Sequence, residues 1–203
     1  MKPILSPRAF LTVAVSCAAF TVHAYDAFSN LDPAPDSYSD VTAYDTGPGT
    51  NDQGFQFTTT AGGLLTGIQI AMNDLTDLTP HAFTLTLYSD SGSDTLGSAL
   101  GSWGAMSTGV LYTSTRSLLV SVPTTGPAVN LTSGTKYWLV ASSATQIFWN
   151  GANSGAVNHY FAGNYGSGSI PGAFSVQAVP EPASMAALGL GLVGLLRRRR
   201  NRA

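Results

Sequence analysis

The sequence predicts an all-β fold, an antiparallel β-sandwich of jelly-roll-like type, with a helix outside it at each end of the chain. Three observations predict this. Short runs alternate apolar and polar residues with period two, as half-buried strands do. Gly, Ser, Asn and Asp fill the gaps between the runs, as turns require. Nothing between the two ends sustains a helical period.

Met1 to Ala24 has the layout of a secretory signal. Lys2 and Arg8 form its positive start, and Ala9 to Phe20 its apolar helix. Val22-His23-Ala24 offers small residues at the cleavage subsites, so Tyr25 is the expected first mature residue. Cys17 invites lipid attachment, but Ala14-Val15-Ser16 is a poor lipobox. Cys17 is the only cysteine, so the mature body has no disulfide and must rely on its core.

Tyr25 to Asn51 carries a weak pattern and reads as an arm or an edge strand. Clear strand signals begin at Gly54–Thr58 and continue at Leu65–Ile70 and Phe83–Tyr88. In the last of these, Phe83, Leu85 and Leu87 point one way and Thr84, Thr86 and Tyr88 the other. Further strands are expected at Ser117–Val122, Lys136–Ala141, Gln146–Trp149, His159–Phe161 and Phe174–Val179. The aromatics in these runs can bury enough surface to offset chain entropy, which argues against disorder. No linker or repeat splits the body, and its length suffices for one domain with a sizeable core.

Charge is distributed unevenly. Between the two ends only Arg116 and Lys136 are basic, against ten aspartates, all before residue 95. The body therefore sits near −8, against −2 for the whole chain. Such a surface repels nucleic acid.

The tail reads Val179-Pro180-Glu181-Pro182, an apolar run from Ala183 to Leu196, then Arg197-Arg198-Arg199-Arg200. The apolar run is shorter than the roughly 20 residues of a full membrane span. Four adjacent arginines cannot enter a protein core unpaired, yet they suit the cytoplasmic edge of a bilayer. Their long stems can snorkel and offset part of the mismatch. The run is therefore read as a transmembrane helix at 183–196, flanked by the arginines. Gly189, Gly191 and Gly194 match G-x-G-x-x-G, but the chain ends before the acidic residue that a dinucleotide site needs. They read as small residues in a membrane helix.

These three features in this order resemble the PEP-CTERM sorting signal of Gram-negative bacteria. The resemblance implies recognition of Pro180, Glu181 and Pro182 by an exosortase-type membrane protease. It also implies transient anchoring in the inner membrane, then release to the cell surface or extracellular matrix. Two body segments, Phe83 to Asp90 and Leu131 to Val140, are similar to the choice-of-anchor β-sandwich domains that often precede such tails. That likeness implies a fold and no chemistry. The chain is then divided into a signal peptide at 1–24, an arm or edge strand at 25–51, a β-sandwich domain at 52–178 and a sorting tail at 179–203.

The body offers little catalytic chemistry. It has no G-x-S-x-G elbow, and its histidines are only His81 and His159. Glycoside hydrolysis usually needs two carboxyl groups, and since Glu181, the only glutamate, lies in the sorting motif, an aspartate pair would have to supply them, which no motif supports. Zinc is not expected, because cysteine is missing and the histidines are far apart. Asp90-Ser91-Gly92-Ser93-Asp94 places two carboxylates around a glycine turn, a candidate calcium site beside the plainer reading of a hairpin. Trp103, Trp149, Tyr160 and Tyr165 are candidates to stack on sugar rings, and core packing is the competing role for each. Trp138 alternates with Lys136 and Val140 and reads as core. Asn130-Leu131-Thr132 forms a glycosylation sequon, of little weight in a bacterium.

The resulting expectation is a non-enzymatic surface or matrix protein without a cofactor, associated with biofilm or exopolysaccharide. A carbohydrate-binding module is the alternative within that picture. An exported hydrolase is the rival from another class.

Overall fold

The structure is a computed structural model that describes residues 23–31, 39–46, 52–73, 80–108, 119–124, 128–152, 157–168 and 170–180. The expected signal helix, the transmembrane helix at 183–196 and Arg197 to Arg200 lie outside the described residues, apart from His23 and Ala24 at the end of the signal. So do Glu181 and Pro182.

The described chain is all-β. Its strands are β1 (Tyr25–Ser29), β2 (Ser39–Thr46), β3 (Gln53–Thr58), β4 (Gly63–Asn73), β5 (Ala82–Asp90) and β6 (Leu96–Ser107). After them come β7 (Leu119–Pro123), β8 (Asn130–Leu131), β9 (Lys136–Ser143) and β10 (Ile147–Gly151). The last three are β11 (Val157–Phe161), β12 (Asn164–Gly168) and β13 (Phe174–Val179). They form two sheets, antiparallel throughout. One has seven strands, in the order β1-β13-β4-β10-β2 with β7 and β8 also paired to β4. The other has six, in the order β12-β11-β3-β9-β5-β6. This exceeds the eight strands of a jelly roll.

The eight expected strands all form, with ends shifted by a few residues. The stretch 25–51 contributes β1 and β2, which are the outer strands of the seven-stranded order. β1 pairs with β13 from Tyr25 opposite Ala178 to Ser29 opposite Ser175. Strands from 25–51 are therefore part of the seven-stranded sheet, at its outer positions. Strands β6, β8 and β12 were not among the expectations.

Alternation explains how the sheets pack. Phe83, Leu85 and Leu87 of β5 are buried, and Thr84, Thr86 and Tyr88 between them are half-buried. The buried set meets the facing sheet, whose β4 supplies Ile68, Ile70 and Met72 and β13 Phe174, Val176 and Ala178. Aromatic rings bridge the two layers. Phe55 of β3 meets Trp149 of β10 edge-on at 4.8 Å between centroids. Phe57 of β3 meets Phe174 of β13 at 5.5 Å. Burying one such side chain is worth about 1.5–3 kcal/mol, so this layer accounts for cohesion without disulfides.

Candidate functional site

Polar and aromatic chemistry gathers on the other face of the six-stranded sheet. Cross-strand register arranges it in rows. In the first row Gln56 of β3 stands opposite Trp138 of β9, and Trp138 opposite Tyr88 of β5. Asn158 of β11 extends this row by donating its side-chain N–H to Gln56 Oε1 at 2.8 Å. In the second row Tyr165 of β12 pairs with Tyr160 of β11, then Gly54, Val140 and Thr86 follow across β3, β9 and β5. A third row contains Ser142 opposite Thr84, with Asp52 just before β3.

The first row is closed by a hydrogen-bond network. Asp90 Oδ1 accepts from Gln56 Nε2 at 2.8 Å and from Trp138 Nε1 at 2.9 Å. Asp90 Oδ2 accepts from the Gly92 backbone N–H at 2.8 Å. Asp94 Oδ1 accepts from Gln56 Nε2 at 2.8 Å and from Lys136 Nζ at 2.6 Å. Burial pushes the Asp90 carboxyl up, but the donors Trp138, Gly92 and Gln56 together outweigh it and hold it below its ordinary value. Asp94 is lowered chiefly by Lys136 and then by Gln56. Lys136 is raised in return by Asp94.

These contacts engage the candidate calcium ligands Asp90 and Asp94. The fold does bring the two carboxylates together, but their oxygens face N–H donors, including a lysine ammonium. A calcium site needs six to eight oxygen ligands. No group of three or more acidic, His or Cys side chains placed to hold a metal occurs among the described residues.

The sugar-stacking candidates divide in two. Trp149 is 0 % exposed and Trp103 is 4 % exposed, so neither offers a free ring face. Trp149 packs between the sheets, and its Nε1 donates to the Ala173 carbonyl at 3.2 Å. Trp103 of β6 belongs to the same core. Their reading as sugar platforms is therefore corrected to core packing. Tyr160 and Tyr165 lie on the outer face with centroids 5.3 Å apart. Tyr165 is 43 % exposed and also caps Trp138 edge-on at 5.7 Å. Trp138 is buried as expected, but on the outer face, under this cover.

Beside Tyr160 runs a groove of about 710 Å³, lined by Asp52, Thr84, Ser142, Ser143 and the turn at Ala162 and Gly163. Burial first, and the Asp52 carboxylate second, push the Tyr160 hydroxyl above its ordinary value. A second cavity of about 460 Å³ opens where Phe28 and Phe174 face Phe57 and Asn158. One polar group of its lining, Asn30, is committed to the Gly172 carbonyl and the Phe174 N–H.

Sequence reading missed Gln56, Asp52, Thr84 and Ser142. Alternation places Gln56 on the face opposite Phe55 and Phe57, which was a usable signal. Asp52 and Ser142 carried none, because only strand register brings them together.

The fold and this face define a two-sheet antiparallel sandwich with a polar, aromatic groove on one outer surface. Its tail is more specific. A family model for the PEP-CTERM protein-sorting motif matches residues 178–200, so the chain carries the sorting tail of PEP-CTERM proteins. The motif marks a Gram-negative protein exported and sorted to the cell surface by exosortase, a membrane protease. No curated protein matches the chain.

Proposed function

We propose that the protein is a non-enzymatic component of the cell surface or extracellular matrix, associated with biofilm exopolysaccharide. In this reading the apolar run at 183–196 parks in the inner membrane, with Arg197 to Arg200 on the cytoplasmic side. Exosortase then acts at Pro180, Glu181 and Pro182. The likeness of the body to choice-of-anchor domains belongs to the same proposal.

The observation that carries it is the position of the sorting motif. It starts at residue 178, in the last two residues of β13. β13 is flanked by β1 and β4, so the tail leaves directly from the interior of a sheet. Tyr25, the expected mature start, pairs with Ala178. The expected mature start and the first residue of the motif thus pair with each other in one sheet. The engagement of Asp90 and Asp94 with donors supports a binding or structural face over a catalytic one.

Deleting residues 180–203 and fractionating the cells tests this. The truncated body is expected in the periplasm or medium, while the full chain is retained at the surface. Unchanged surface retention of the truncated chain contradicts the proposal.

A further inference from the structure

We propose that the groove beside Tyr160 binds a neutral, hydroxyl-rich glycan chain. This deepens the surface reading, which supplies the glycan, and the argument for the site rests on the groove itself.

The apolar wall of the groove is the Tyr160 ring, which packs where one side chain is missing. Gly54 lies between Tyr160 and Val140 in the second row. A Cβ at position 54 would meet Val140 Cγ2 at 2.8 Å and Tyr160 Cβ at 3.5 Å. Glycine there lets the aromatic and aliphatic neighbours close over the strand. The C–H face of a pyranose suits such a surface, and a tyrosine supplies area with little loss of rotamer entropy.

The rim is polar in the way a sugar requires. Thr84, Ser142 and Ser143 carry hydroxyls that can donate and accept. Ser143 Oγ already donates to the Ala82 carbonyl at 2.9 Å and accepts from the Thr145 N–H at 3.2 Å, so Thr84 and Ser142 carry the rim's polar role. Asp52 only accepts. The raised Tyr160 hydroxyl stays protonated at neutral pH and remains a donor. The volume, about 710 Å³, lies within the usual range of small-ligand sites.

Charge decides which glycan. Lys136 is the only lysine or arginine among the described residues, and it is paired with Asp94. A polyuronate would bring its carboxylates to Asp52 with no lysine or arginine among the described residues of the groove to receive them. The groove therefore selects neutral chains.

The test is affinity gel electrophoresis of the detergent-solubilised full chain in hydroxyethylcellulose, dextran and polygalacturonate gels. Retardation is expected in at least one neutral gel and not in polygalacturonate. Tyr160→Ala should weaken the retardation at least tenfold. The double variant Thr84→Val with Ser142→Ala, which leaves the Tyr160 ring intact, should weaken it several-fold. Circular dichroism melts report whether each variant is folded. Lack of retardation in both neutral gels, equal retardation in polygalacturonate, or wild-type retardation of folded Tyr160→Ala or of the double variant overturns the proposal. Such a failure leaves the fractionation result untouched, so loss of the glycan site and loss of the surface reading are told apart.

Discussion

Trp149 and Trp138 are both fully buried, yet they lie on opposite sides of the six-stranded sheet. Trp149 belongs to the facing sheet and fills the space between the layers against Phe55 and Phe174. Trp138 points outward and is covered by Tyr165, Asp90 and Gln56. One is hidden by a whole apolar layer, the other by a hairpin and a few hydrogen bonds. Interior burial therefore rests on area and packing, while outer burial rests on polar geometry. The first withstands changes of pH; the second depends on which groups are ionised.

The largest effect is expected inside. Trp149→Ala removes a ring that two aromatic neighbours enclose, and a substitution of that kind costs about 3–5 kcal/mol. Domains have about 5–15 kcal/mol in total, so the variant should melt far below the native chain or fail to fold. Denaturant midpoints check this. A loss below about 1 kcal/mol would break the contrast between the layers, since typical surface changes stay within about ±0.5 kcal/mol.

How much of this could be read from the sequence follows the same division. Phe83 to Tyr88 alternates because β5 is paired on both sides and has one face in the core, so burial wrote a period of two into the chain. β6 carries no such record. Its run Leu96-Gly97-Ser98-Ala99-Leu100-Gly101 is small and irregular, and pairing along β5 holds it, with three register shifts. Trp149 was legible in principle, since it shares a face with the buried Ile147 two residues earlier. Its residue type suggested a platform, but type does not say which face a ring occupies. The groove was the least legible part. Thr84, Ser142 and Tyr160 are far apart in the chain and meet only through the pairing of β5, β9, β3 and β11.

A middle-sized effect is expected at Asp90. Its two oxygens accept from Trp138, Gln56 and Gly92. An asparagine has one acceptor oxygen, so Asp90→Asn leaves a donor facing an amide N–H whichever way it turns. The cost is about 1–3 kcal/mol near neutral pH. The folded-state pKa of Asp90 lies below its unfolded value, for which 3.8 is the reference. Its contribution is therefore present above pH 3.8 and is lost as pH falls through the folded value. Native chain and variant should converge in stability in acid, as read by melting temperature against pH. A constant gap between them down to the lowest pH would show that ionisation of Asp90 has no part in sealing Trp138.

The smallest effect sharpens the comparison instead of breaking it. The cover over Trp138 hangs on the β11–β12 hairpin, whose strands close from Phe161 opposite Asn164. The two turn residues, Ala162 and Gly163, have φ of 47° and 88°. Positive φ at both central positions is the pattern of a type I′ turn, for which Asn-Gly is the favoured pair. Alanine in this region is disfavoured by roughly 1–2 kcal/mol, and asparagine tolerates it better. Ala162→Asn should therefore stabilise the chain by about 0.5–1 kcal/mol. Because the hairpin carries Tyr165, the gain should appear locally as slower hydrogen exchange at the Trp138 indole N–H. Exchange at the Trp149 indole should not change, since its acceptor is the Ala173 carbonyl within the other sheet. Equal slowing at both indoles would mean that the outer cover opens only when the whole sandwich does, and the two kinds of burial would then be one cooperative unit.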